Sequence, residues 1–380
     1  MKKYIYSYDE VYNILDSLTS TSNKLFRKAG KIGNSYFNYP INLYILGNGK
    51  KQVILMGATH GCELITTTFL IYFVSSILNN NNDDYMEYLN NYCFYIIPIL
   101  NPEGYIISSS NVLANTANLN SDEFEKYCNK YLELYNKDDY NAENFDKKYE
   151  KLYKTLMKTD IKYIGNLRLE NMVKSILKSC NLDEKVLPIW SSNGMGIDIN
   201  ANSIHQFNNM YNQRLKQKYA KMRYNDIPTD RPSPTGYPGK IQFDKRCPEN
   251  LALYKFVIKL YSNNINRINK NRLVAFLSYH STGSQIYGYP DKNLSGINQY
   301  NFISNAMKNY SKYTGYELMD EQHKYGVMDY YRIALRNVAA LTIELSKLNA
   351  NPIGPFANIL NLEKEFNQNI CSIFYTLKNL

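Results

Sequence analysis

Apolar residues along this chain gather in short runs separated by long polar stretches. Four runs are continuous and of strand length: residues 52–57, 93–99, 273–279 and 339–346. Such runs are too short for core helices. They lack the alternation of a strand with one wet face, so they predict strands buried on both faces. Residues 41–47 do alternate, as a half-buried strand does. The Gly47-Asn48-Gly49-Lys50 turn that follows predicts antiparallel pairing with 52–57. Helical spacing recurs at Val11, Ile14, Leu15 and Leu18. Ser7 with Glu10 three residues on forms a capping box, and residues 4–30 read as one helical opening. Further helices are predicted over residues 64–78, 248–260 (Pro at the first turn), 301–314, 326–335 and the C-terminal segment 356–380. Strand, helix, strand across residues 52–99 is a βαβ-like pattern and implies a partly parallel sheet.

Residues 106–192 have a different texture, rich in Asn, Lys, Tyr and Glu. They contain helical patches but no concentrated apolar runs, so they read as a mostly helical insertion in one domain spanning 1–380. The chain shows no internal repeat.

The net charge of +10 raises the question of nucleic acid or another polyanion. The Lys are scattered and form no basic block, which argues against nucleic acid. Six Cys are widely spaced with no Cys-x-x-Cys pair, a pattern of reduced thiols rather than a disulfide framework or a structural zinc site. The first residues carry two Lys but no apolar core of a signal peptide, and no apolar run approaches membrane-spanning length. The expectation is a soluble cytoplasmic protein with no membrane span, export without a signal remaining open.

The chemistry lies at the ends of the buried strands. Residues 53–57 climb to a Gly-rich turn that delivers His60 and Glu63. The strand at 273–279 delivers His280, and Glu344 is the one charge in the last apolar run. A hydrogen-bonded core His is the ordinary explanation for either imidazole alone. Taken together, two His and one Glu form a His₂Glu set, which is what one catalytic zinc ion takes while leaving a position for water. Glu344 is then left as the general base and acid. His205, His323 and Cys62 read as surface His and a buried thiol.

These residues fall in motifs that resemble the zinc carboxypeptidases of the carboxypeptidase A type. The resemblance runs from Tyr6 to Ser346 with its landmarks in order. They are Ile32-Gly33-Asn34-Ser35, His60-Gly61-Cys62-Glu63, Asn101-Pro102-Glu103-Gly104-Tyr105, Gly196-Ile197-Asp198-Ile199-Asn200, Tyr279-His280-Ser281 and Thr342-Ile343-Glu344-Leu345. It implies a single α/β domain with a mixed twisted sheet of about eight strands and helices on both faces. It also implies zinc on His60, Glu63 and His280, with Glu344 catalytic.

Two departures bear on substrate. Carboxypeptidases of the family place Arg after Asp-Leu-Asn, and that Arg with the preceding Asn clamps the substrate's terminal carboxylate. Here Asn200 is kept as a substrate-binding candidate, but Ala201 replaces the Arg and cannot form a bidentate pair. A branch with similar changes cleaves bacterial cell-wall peptides between γ-D-glutamate and a diamino acid such as meso-diaminopimelate. The stretch from Tyr279 to Tyr287 is similar to that branch, although the branch usually has Arg where Met195 stands. Arg168, Arg214, Arg223 and Arg231 are candidates for polarising the carbonyl, against their ordinary reading as surface residues. Tyr325, just before Gly326-Val327-Met328-Asp329, is the second substrate-binding candidate, with Tyr316 nearby. The expected partner is thus a peptide or muropeptide. Two alternatives stand beside it: a carboxypeptidase removing C-terminal residues, and a non-catalytic wall-peptide-binding protein of the same fold.

Overall fold

A computed structural model describes residues 5–22, 24–79, 83–116, 165–182, 184–202, 227–266, 272–319, 326–346 and 362–380. Its centre is an eight-stranded mixed sheet. In chain order the strands are β1 (Phe26–Asn34), β2 (Pro40–Leu46), β3 (Lys51–Met56), β4 (Tyr92–Ile97), β5 (Arg272–Ser281), β6 (Gln285–Tyr287), β7 (Glu317–Leu318) and β8 (Ala339–Leu345). Across the sheet they run β1-β2-β4-β3-β5-β8-β6-β7. The four continuous apolar runs are β3, β4, β5 and β8, and they form a parallel centre. Antiparallel β2 and β1 flank it on one side and antiparallel β6 on the other.

Alternate residues of the central strands serve two cores, as the pleat requires. Val53, Leu55, Phe94, Tyr279, Leu341 and Ile343 pack with α1 (Tyr8–Thr21), α2 (Leu64–Leu78), α7 (Ile297–Thr314) and α9 (Leu362–Lys378). Ile54, Met56, Phe276 and Ala340 face the other way, against α6 (Pro248–Asn266) and α8 (Val327–Ala334). Between these pairs of helices in the sequence lie α3 (Asp83–Asn91), α4 (Pro102–Thr116) and α5 (Leu167–Cys180). Helices thus cover both faces, and no helix among the described residues is long and apolar enough to cross a membrane.

The helices at 64–78, 248–260, 301–314 and 326–335 occur where the periodicity places them. The Ser7–Glu10 capping box is present in both directions.

Two local expectations are corrected. β2 does not pair with β3; it pairs with β4 and β1, and β3 lies between β4 and β5. The Gly47–Lys50 turn is a crossover, not a hairpin: Asn48 and Gly49 donate their N–H groups to the carbonyls of Leu89 and Tyr92. A Cβ at Gly49 would lie 2.0 Å from the Asn91 carbonyl carbon, so the loop passes directly under the start of β4. The helical opening ends at Thr21, and Phe26–Asn34 is the edge strand β1. Most of β1 is solvent-facing, which is why it gives no apolar signal. Asn101 to Tyr105 forms the start of α4. The Asn101 Oδ1 accepts the Gly104 N–H at 3.0 Å, and Pro102 occupies the first helical position, where its missing donor costs nothing. Residues 106–116 continue that helix, while residues 117–164 lie outside the described residues.

Candidate metal centre

All four parallel strands end on the same edge of the sheet, and the site is assembled there. After β3, the backbone turns sharply through Ala58, whose φ of +47° is in the left-handed region. Ala58 donates its N–H to Thr66 Oγ1, and Asn101 donates its N–H to the Ala58 carbonyl. Gly61 is required here: a Cβ would sit 2.2 Å from the Gly104 carbonyl carbon. The Asn101 amide donates to the carbonyls of Thr59, Ser191 and Ser192, tying three loops into one floor. This places His60 and Glu63 at the mouth of the turn, and α2 begins at the next residue.

His60 Nδ1 lies 2.8 Å from Glu63 Oε1, and His280 Nδ1, brought by β5, lies 3.0 Å from Glu63 Oε2. The donor atoms of His60, Glu63 and His280 all lie within 4.8 Å of one another. The two imidazoles meet edge to face at 5.0 Å. His280 and Glu63 are buried, while His60 keeps slight access to solvent. Thus the three residues singled out as metal ligands do converge.

The residue that sequence reasoning left without a role is Asp198. Its Oδ1 lies 3.3 Å from His60 Nε2. A carboxylate there holds the Nε2–H tautomer and leaves the Nδ1 lone pair free, as a carboxylate behind a metal-bound His does. Asp198 is itself fixed by N–H groups from Ala201 and Gly236. The signal for it in the sequence is the Asp of the Gly196-Ile197-Asp198 landmark.

The electrostatics favour a cation. Burial alone would depress the pKa of His60, but the charges of Glu63 and Asp198 outweigh burial and raise it to about 10. Burial raises that of Glu63, yet His60 and His280 bring it down to about 2. So a buried carboxylate faces two imidazole nitrogens, with Glu63 Oε2 making no hydrogen bond among the described residues. Two lone pairs aimed at a carboxylate repel unless a proton or a metal ion lies between them. A His₂Glu set of this compactness fits a zinc ion.

Glu344 stands directly opposite His280 in the β5–β8 register, so both side chains leave the sheet on the same face. It is half-buried, in an otherwise apolar strand.

Of the substrate candidates, Asn200 is half-buried near this loop. Its Oδ1 accepts the Val327 N–H at 2.8 Å and tethers the start of α8. Tyr325, Arg214, Arg223, His205 and His323 lie outside the described residues. Tyr316 is buried and its hydroxyl is committed to Glu365. Arg168 and Arg231 are exposed. Ala201 is fully buried and Met195 nearly so, which leaves the two positions without any charge. Cys62 is a buried thiol 3.3 Å from Ser191 Oγ.

An α/β sheet with a His₂Glu cluster at the carboxyl ends of its parallel strands defines the class of mononuclear zinc hydrolases. More narrowly, the chain belongs to the zinc carboxypeptidase family, whose profile matches residues 11–347. A curated relative, carboxypeptidase B of Astacus astacus, is 32% identical over 103 residues, covering 26% of this chain and 33% of that protein. The aligned stretch therefore spans about a third of the relative's length. Among solved structures, thrombin activatable fibrinolysis inhibitor superposes with a TM-score of 0.57 at 14% identity, over 99% of this chain and 74% of that one. Carboxypeptidase A from Helicoverpa armigera gives 0.50 at 16% identity, over 98% and 73%. At these identities the structural likeness establishes the fold alone.

Proposed function

We propose that this chain is a zinc metallopeptidase that hydrolyses the amide bond between γ-D-glutamate and a diamino acid in bacterial cell-wall peptides. The observation that carries the hydrolytic part is the packing of His60, Glu63 and His280 within 4.8 Å, with Glu344 in register beside His280. His60 Nδ1, the Glu63 carboxylate and His280 Nδ1 would hold the ion. When bound, zinc supplies Lewis-acid activation of water and of the scissile carbonyl. Glu344 takes the proton of the attacking water and hands it to the leaving amine, which must depart neutral. Asp198 keeps His60 in the ligating tautomer throughout.

Specificity for a wall peptide rests on what stands at positions 195 and 201. An Arg at either would bind a carboxylate bidentately; Met195 and Ala201 offer no donor. A site so built does not select for a free α-carboxylate beside the scissile bond. The carboxypeptidase reading keeps one support, Asn200, the surviving half of the family's carboxylate clamp.

Incubation of the zinc-loaded chain with a γ-D-glutamyl-meso-diaminopimelate peptide and with a C-terminally free peptide separates the two. Cleavage of the first, abolished by chelator, is expected. Removal of C-terminal residues alone would establish the carboxypeptidase reading instead. Zinc binding without cleavage of either would favour a wall-peptide-binding role.

A further inference from the structure

We infer that Glu365, in the C-terminal helix α9, is a positioning residue for Glu344. This rests on the reading of Glu344 as the base. β8 ends at Leu345, and Ser346, two residues beyond Glu344, takes the left-handed conformation with φ of +68°. A serine has no intrinsic preference for that region, so something must hold it there. The hold comes from two sides. Ser346 donates its N–H to Glu365 Oε1, and its carbonyl accepts the Gly283 N–H at 2.9 Å. Gly283 follows β5, so the carbonyl bond ties the end of Glu344's strand to the end of His280's strand.

Glu365 is itself fixed within a continuous polar chain on the side of the sheet covered by α7 and α9. The Tyr316 hydroxyl donates to the same Oε1. The Asn369 amide donates to the Tyr316 oxygen at 3.1 Å, and its Oδ1 accepts the Tyr310 hydroxyl at 2.8 Å. With the Tyr310 proton so committed, Tyr279 is the donor in its 3.3 Å contact with Tyr310. Tyr279 immediately precedes His280. One end of this chain therefore holds the backbone of Ser346, two residues beyond Glu344, and the other meets the side-chain hydroxyl of Tyr279, the residue before His280. Ser346, Asn369, Tyr310 and Tyr279 are fully buried, and Tyr316 nearly so. Water cannot readily replace a lost partner in such a network.

A loosened Ser346 lets the end of β8 fray and moves the Glu344 carboxylate relative to the ligands. Small misplacements of a base cost rate rather than binding.

The test uses the full zinc-loaded chain, with Glu365→Ala and Glu365→Gln, on whichever of the two peptides above the wild type cleaves. Glu365→Ala should keep its zinc and its KM within about twofold while kcat falls about tenfold. Amide exchange at residues 344–346, read by mass spectrometry, should accelerate in the same variant, and this readout needs no substrate. Glu365→Gln keeps an acceptor oxygen for Ser346 and should recover kcat to within about threefold of wild type. If Glu365→Ala does not fold, Tyr316→Phe removes one anchor of the carboxylate and should speed exchange at Ser346 with a smaller loss of kcat. Unchanged exchange at 344–346, or a kcat equal to wild type in a variant with faster exchange, overturns the proposal. Glu344→Gln run in parallel separates the two ideas. Full activity there removes the base assignment itself, whereas an inactive Glu344→Gln beside a fully active Glu365→Ala removes only the positioning role.

Discussion

His280 and Glu344 are direct neighbours across the β5–β8 ladder, one a proposed metal ligand and the other the proposed base. Parallel pairing sends both side chains to the same face from strands that are themselves largely buried. Their spacing is thus set by sheet hydrogen bonds, not by loop conformation. Glu344→Gln preserves that ladder and the metal set. We expect zinc content equal to wild type and a kcat lower by about 10²–10⁴-fold, the range for loss of a positioned base. Elemental analysis and steady-state kinetics on one preparation check both halves.

His280→Ala should lose the ion, because two of three protein ligands cannot hold zinc with comparable strength. Elemental analysis reads this directly. Since the ion binds only the folded chain, chelation of the wild type should also lower thermal stability. A ligand at about one hundred times its Kd contributes about 2.7 kcal/mol, and this difference should vanish in His280→Ala.

Asp198→Asn tests the support behind His60. The amide can accept one hydrogen bond but removes the charge that holds the imidazole. Zinc affinity should fall about 10- to 100-fold, measured by competition with a chelator of known affinity. An affinity equal to wild type would show the 3.3 Å contact to be incidental.

Glu103 and Glu249 give a pH prediction away from the metal. Both are fully buried and face each other. Burial, then mutual repulsion, raises Glu249 well above the usual carboxyl range; burial raises Glu103 as well. The folded pair therefore retains a proton that the unfolded chain releases. That contribution is complete below the ordinary carboxyl pKa and is lost as pH rises toward the folded value. Glu249→Gln replaces the shared proton with an amide N–H. It should flatten the decline in stability above about pH 4.5 and melt about 1–3 °C above wild type at neutral pH. Thermal melts across a pH series decide it; parallel curves for the two proteins would count against a shared proton.

Gly61→Ala probes the turn. The added methyl meets the Gly104 backbone at 2.2 Å, so one of two hydrogen-bonded loops must yield. A destabilisation of about 1–3 kcal/mol is expected, with weakened zinc retention because His60 and Glu63 ride on that turn. Denaturant midpoints and zinc content are the measurements.

The central strands and the four candidate residues stood out because they are extreme cases. β3, β4, β5 and β8 are buried on both faces, and a charged or imidazole group at the end of such a strand is conspicuous. The edge of the sheet was not legible. β1 is mostly exposed, while β6 and β7 are too short to show a pattern, so their sequences carry little apolar signal. The misplaced β2–β3 pairing has a different cause. A Gly-Asn-Gly turn reads as a hairpin locally, and only the distant carbonyls of Leu89 and Tyr92 reveal that it crosses under β4. Asp198 was visible as part of a motif, but its role depends on a contact 138 positions away in the chain, from His60 to Asp198. No local pattern encodes that distance.

The proposed ligands come from the turn after the third strand and from the fifth strand, and their supports from segments on either side of that fifth strand. No contiguous piece of the polypeptide holds the set. A growing chain still short of His280 has nothing with which to capture the ion tightly, and a clipped one would let it go. Occupancy by zinc should therefore act as a certificate of finished assembly, acquired last and forfeited first.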